Sequence, residues 1–278
     1  MLKNLALNHS VVIEKQGLVT PVSPMTADEL SPPAFDGTLK KDTLLNPSLS
    51  SRRTTSPPTH IEYSASSPDE LALVNGARFL GVTYTGRDAL NNSIFNISVK
   101  GSTQMYELLN VIEFSSARKR MTSVFREVGS GRIVVMCKGA DSVLLPLIKD
   151  AESPRVKQLI DATVDHMNAF AKEGLRTLLI VEKTISETEY ANWAAQYTLA
   201  LNSLVDRESK VSKCADALEC HFELVGSTAL EDKLQDGVPE TIKMIRRAGV
   251  KLWVLTGDKI ETAINIGYSC RLLDDQMN

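Results

Sequence analysis

The chain has 278 residues, 43% of them hydrophobic, which suffices for one large or two modest domains with real cores. A net charge of −3 and a pI near 5.9 leave no basic surplus to neutralise a polynucleotide, and aromatics at 5% are too sparse for a base-stacking platform, so no nucleic-acid partner is expected. Four cysteines (Cys137, Cys214, Cys220, Cys270) without a CxxC pair, four scattered histidines and no apolar run near about 18 residues exclude a zinc framework and a membrane span within this sequence.

In chain order, residues 2–15 begin with a helix-like apolar stretch and pass into a short β-branched run, starting as abruptly as a piece cut from something longer. Residues 16–60 hold seven of the eleven prolines together with many Ser and Thr, and are expected to be a disordered loop. Its Ser-Pro pairs and Arg52-Arg53-Thr54-Thr55 suit either phosphorylation or a plain spacer. Order resumes at Ile61. Ser67 is placed to cap a helix with Asp69 and Glu70 in its first turn. β-Type segments follow around 82–85, 94–100, 105–114, 120–127 and 133–138, predicting a mostly antiparallel sheet. Helices are predicted over 142–148 and 155–172, a strand over 176–181, and two helical stretches between 187 and 219.

The last part, from Glu231 to Lys259, reads as helix, strand and anion-sized turn. Val238, Ile242, Ile245 and Ala248 recur at helical spacing, Pro239 suits a first turn and Gly249 a C-terminal cap. Lys251–Leu255 is a short apolar run of the kind buried on both faces of a parallel sheet. Thr256-Gly257-Asp258 then precedes another helical pattern, where free N–H groups meet an anion at a strand's carboxyl end; a plain turn with Asp258 as helix cap fits the same residues. The fold class expected is α/β: an α+β domain over about 61–222 joined to a partial doubly wound α/β domain over about 223–278.

Four further places carry candidate chemistry. Phe114, in Phe114-Ser115-Ser116-Ala117-Arg118-Lys119-Arg120, ends a strand beside a basic cluster; it suits stacking on a purine or a core position beside a solvated charge run. Lys138, before Gly139-Ala140-Asp141, suits either a cleft or an exposed turn. Arg176, after Glu173-Gly174, offers a guanidinium fork to a phosphate or a structural ion pair. Glu70 can accept from a base amino group or serve the helix dipole.

In order and spacing, SSPDE, FSSARKRM, KGAD, EGLRTL, EDKLQDGVPETI and VLTGDK resemble the P-type ATPases, and most of all their phospholipid-flipping type-IV branch, over about 61–273. The resemblance implies a nucleotide-binding domain over 61–222 and part of a HAD-like phosphorylation domain over 223–278, with 1–15 a truncated entry segment. It implies ATP and Mg²⁺ as cofactors, with Phe114 stacked on adenine, Glu70 near its amino edge, Lys138 along the nucleotide, Ser116 and Lys119 on the same wall, and Arg176 and Thr177 toward the phosphates. Thr256, Gly257 and Asp258 match the family's second phosphate-contacting motif. The whole pump would sit in a membrane with this part on the cytosolic face, moving a phospholipid, with an accessory subunit as a further expected partner. Leu71 stands where the family often has Gly after SPDE, and Asn8 where it often has Cys before His; neither touches the expected ATP contacts.

The sequence lacks Asp-Lys-Thr-Gly-Thr, the dephosphorylation loop and the Mg²⁺-placing Gly-Asp-Gly-x-Asn-Asp. The expectation is therefore a fragment that binds ATP without turning it over, within a parent that is a phospholipid-transporting ATPase. A stand-alone nucleotide-binding or regulatory module is the alternative. A phosphatase of the HAD type is a weaker one, because Asp36-Gly37-Thr38 is the nearest nucleophile motif and no strand precedes it.

Overall fold

The computed structural model describes residues 1–18, 59–231, 234–256 and 260–274. These form two compact units. The smaller, residues 13–64, contains a two-stranded sheet of β1 (Val12–Leu18) and β2 (Thr59–Ser64). The expectation of disorder over 16–60 falls almost wholly outside the described residues.

The larger unit is organised by a seven-stranded antiparallel sheet in the order β3 (Val82–Arg87), β4 (Ile94–Val99), β5 (Ser102–Ile112), β6 (Arg120–Glu127), β7 (Ile133–Gly139), β8 (Arg176–Ile185) and β9 (Glu223–Leu230). The first five strands are joined by short turns. β7 reaches β8 through α3 (Asp141–Leu144), a 3-10 turn (Leu145–Leu147) and α4 (Pro154–Lys172); β8 reaches β9 through α5 (Glu187–Leu201) and α6 (Arg207–Leu218). Every neighbouring pair is antiparallel.

The pleat sends alternate residues to two cores. On one face Val124, Ile133, Val135, Cys137, Leu179 and Val181 pack with Leu144, Met167, Trp193, Tyr197, Leu218 and Phe222 from the crossover segments. Ser153 and Ser186 fix where α4 and α5 start, each accepting a backbone N–H three residues on. The other face carries an aromatic row, Tyr84, Phe95, Phe125 and Tyr106, with successive centroids 5.6, 5.4 and 6.5 Å apart. It is covered by α1 (Leu2–Leu7) and α2 (Pro68–Phe79), which bury Leu5, Leu7, Leu73, Val74 and Ala77. Asn8 fastens α1 to the sheet by donating to the Met136 carbonyl at 3.2 Å and accepting from Ser123 Oγ at 2.7 Å.

Two expectations change after residue 222. The segment at Glu223–Leu230 is not the opening of a second sheet: it is the seventh strand of this one, with Thr177 facing Ala229 and Leu179 facing Ser227. The buried parallel strand expected at Lys251–Leu255 is not formed. α7 (Val238–Arg247) ends as expected, with Gly249 at a φ of 78°, but 251–256 carries no strand ladder, Trp253 is 84% exposed and Leu255 98%. A strand exists only through a neighbour's hydrogen bonds, and among the described residues none lies alongside. α8 (Ile260–Ser269) follows and touches the end of α4, where Asn265 donates to the Lys172 carbonyl at 3.2 Å. After Leu230 the described residues thus add α7 and α8 and no further strand.

Candidate functional site

Antiparallel order puts the end of β5, the start of β6, the end of β7 and the start of β8 at one edge of the sheet. Most of the nominated residues meet there: Phe114, Ser116 and Lys119 on the β5–β6 connection, Lys138 at the end of β7, and Arg176 and Thr177 opening β8. The start of α2 reaches the same edge with Asp69 and Glu70.

Lys138 and Glu70 form a direct pair, Nζ to Oε1 at 2.8 Å, with side chains only 8% and 13% exposed. Glu70 also accepts from the backbone N–H of Ser10 at 3.1 Å and from the Ser10 hydroxyl. Lys138 is therefore neither an exposed turn residue nor a free cation in a cleft. A Cβ on the glycine after it, Gly139, would lie 2.6 Å from the Lys119 carbonyl oxygen and 2.7 Å from the Arg120 Cβ, so the glycine lets β7 close on the β5–β6 connection. Burial lowers the pKa of Lys138 more than the Glu70 carboxylate restores it. Burial raises that of Glu70, but the charge and hydrogen bond of Lys138 and the bonds from Ser10 outweigh it and hold the carboxyl below its ordinary value.

Arg176, half-exposed, pairs with Asp69 at 3.2 Å, so the ion-pair alternative is realised beside the Lys138–Glu70 pair. Phe114 is not a core residue: it is 61% exposed. Ser116 and Lys119 are exposed on the same turn, and Lys119 takes a φ of 51° while its carbonyl accepts from the Ala140 N–H at 3.0 Å. Thr256 lies on the exposed segment after α7, while Gly257 and Asp258 fall outside the described residues.

Sequence reading missed a cluster under this edge. Arg118, on the turn before β6, and Arg120 and Thr122, at its start, all reach Glu219, fully buried at the end of α6. Arg120 donates its Nε to Glu219 and an Nη to Asp216, both at 2.6 Å. The period of two was the available signal for Arg120 and Thr122, which share a face of β6; Arg118 lies on the turn before the strand, where no such period applies. The carboxylate that answers them is 99 residues from Arg120 and could not be read locally. Among the described residues no three His, Cys, Asp or Glu side chains are grouped to hold a metal ion.

The edge thus offers an exposed ring, outward cations and carboxylates on one rigid sheet end. The family profile of the P-type ATPase cytoplasmic domain N matches residues 40–237. The chain belongs to the P-type ATPases and carries their cytoplasmic domain N. Its relatives include fungal phospholipid-transporting ATPases. It is 47% identical over 218 residues to phospholipid-transporting ATPase DRS2 of Saccharomyces cerevisiae, covering 78% of this chain and 16% of that protein. It is 46% identical over 221 residues to phospholipid-transporting ATPase DNF1 of Chaetomium thermophilum (80% of this chain, 14% of that protein), and 45% identical over 218 residues to phospholipid-transporting ATPase dnf2 of Schizosaccharomyces pombe (78% and 15%). The chain thus spans about a seventh of the length of these relatives. Among the described residues no helix is long and apolar enough to cross a membrane.

Proposed function

We propose that this chain is the ATP-holding part of a phospholipid-translocating P-type ATPase, a translocase that couples ATP hydrolysis to lipid transfer between bilayer leaflets. The observation that carries the reading is the exposed Phe114 ring on a tied turn, at the sheet edge where Lys119, Glu70 and Arg176 also gather. An aromatic face left in water beside cations and acceptors suits a base with phosphates attached. In this reading adenine stacks on Phe114, Glu70 accepts from its amino group, and Lys138 lines the floor and holds Glu70. Ser116 and Lys119 form the wall, and Arg176 and Thr177 face the phosphates. Thr256, Gly257 and Asp258 belong to a second phosphate-contacting turn, and residues from α7 onward begin the HAD-like phosphorylation domain. Mg²⁺ would neutralise phosphate charge when the nucleotide is engaged.

Phosphoryl transfer in this family needs the acceptor aspartate of Asp-Lys-Thr-Gly-Thr, a string this sequence does not contain, so in this reading the chain alone binds ATP without turnover. Phospholipid, membrane and any accessory subunit are partners of the whole protein, with this part on the cytosolic side. Calorimetric titration of the 278-residue chain with ATP tests the reading. Phe114→Ala should weaken binding about tenfold, since stacking on a base is worth about 1–3 kcal/mol, with the melting temperature unchanged. Equal affinity in the two proteins would overturn the adenine assignment. Phosphate release above background would overturn the absence of turnover.

A further inference from the structure

We propose that Glu219 is a positioning residue for the nucleotide, holding the 113–119 connection in the shape that presents Phe114. The inference rests on the assignment of Phe114 to adenine. Phe114 is itself exposed, so packing does not fix its backbone. The residues around it do. Arg118 donates one Nη to the carbonyl of Glu113, the residue before Phe114, at 3.1 Å. Ser115, the residue after it, accepts the Arg118 N–H on its hydroxyl at 3.3 Å and the Lys119 N–H on its carbonyl at 2.7 Å. The guanidinium of Arg118 is thus the strut of the turn, and its other Nη goes to Glu219.

Glu219 is fully buried and uses both carboxylate oxygens. Oε1 accepts from Arg118 and Thr122, and Oε2 accepts from Arg120 at 2.6 Å. Arg120 is held from its far side by Asp216, so two carboxylates balance two guanidiniums. Buried ion pairs are seldom better for stability than apolar residues of the same volume, because desolvation offsets the attraction. Their distinctive capacity is directional: a planar fork bound at both ends cannot swing. Here the fixed object is the turn beneath the proposed adenine platform, and the anchor is the last turn of α6, on the far side of the sheet from Glu70 and Lys138. Glu219 touches no proposed nucleotide contact, so its effect must pass through Arg118.

A double-mutant cycle on the 278-residue chain tests this, with ATP as the titrant and hydrogen exchange of 113–119 as a second readout. Glu219→Gln keeps the shape and removes the charge. It should weaken ATP binding about fivefold in the native background and by less than about twofold in Phe114→Ala, because a positioning effect vanishes when the positioned ring is absent. Exchange over 113–119 should rise. Arg118→Lys, which cannot bridge the Glu113 carbonyl and Glu219 together, should reproduce the pattern, and it decides the matter if Glu219→Gln does not fold. Equal losses in both backgrounds would overturn the proposal, as would unchanged affinity for both Glu219→Gln and Arg118→Lys while Phe114→Ala binds weakly. If Phe114→Ala alone leaves affinity unchanged, the adenine assignment fails first and takes this inference with it.

Discussion

The seven-stranded sheet and the segment from α7 to α8 are of similar apolar character in sequence, yet they end in opposite states. β7 buries every residue from Ile133 to Gly139. Residues 251–255, just as apolar, leave Trp253 and Leu255 almost wholly in water. The difference lies in neighbours. β7 lies between β6 and β8 and is covered on both faces, whereas 251–256 has no described strand beside it. Apolar sequence thus predicts a demand for burial, and only the surrounding chain can meet it.

Substitutions can break or sharpen this contrast. The largest expected effect is at Phe222, fully buried where the 3-10 turn meets β9, with its N–H donating to the Leu147 carbonyl at 2.9 Å. Phe222→Ala should cost about 3–5 kcal/mol in urea unfolding; a loss below 1 kcal/mol would show that the core there re-closes.

Next is a pH effect at His9, packed edge-on against Tyr84 at 4.7 Å. Its Nε2 faces the Ala6 carbonyl at 2.9 Å and its Nδ1 accepts from the Val11 N–H at 3.1 Å, an arrangement only the neutral ring can make. Burial lowers its pKa from 6.5 to about 4, although the Ala6 hydrogen bond opposes the shift. Between those values the unfolded chain binds the proton more tightly, so stability should be full above about pH 6.5. It should fall by about 3 kcal/mol as pH drops toward 4. Denaturant titrations across that range check it, and a flat profile in native chain and His9→Gln alike would contradict the buried neutral state.

Gly139→Ala should be smaller, about 1–3 kcal/mol, because its Cβ meets backbone of the neighbouring strand rather than a yielding side-chain tip. A melting temperature equal to that of the native chain would show that β6 and β7 part freely. The smallest effect is expected at Leu255. Leu255→Ser should change stability by less than about 0.5 kcal/mol, and amides of 251–255 should exchange without strong protection. Strong protection there would mean that the segment is paired after all.

How far the sequence could be read follows the same division. Ser67 and Gly249 marked helix ends by residue type and local spacing: Ser67 precedes α2 without making a side-chain capping bond, and Gly249 follows α7 at positive φ. β3 to β8 were visible as runs bounded by turns, and the motif strings were enough to suggest the family. The two sides of the proposed site were read unequally. Phe114, Lys119, Lys138 and Arg176 stood out by residue type, but the partners that define them did not: Glu70 against Lys138, Asp69 against Arg176, and Glu219 beneath Arg118 and Arg120.

By itself, then, the sequence determined the local elements, the antiparallel character of the main sheet and the chemical inventory of its charged edge. These depend on periodicity, caps and residue type within a few positions. Tertiary structure decided which cations turn inward, that Glu223–Leu230 completes the sheet, and that Lys251–Leu255 does not form a strand in the described chain. Strand pairing and buried ion pairs are agreements between distant segments, and no local stretch of chain contains both parties.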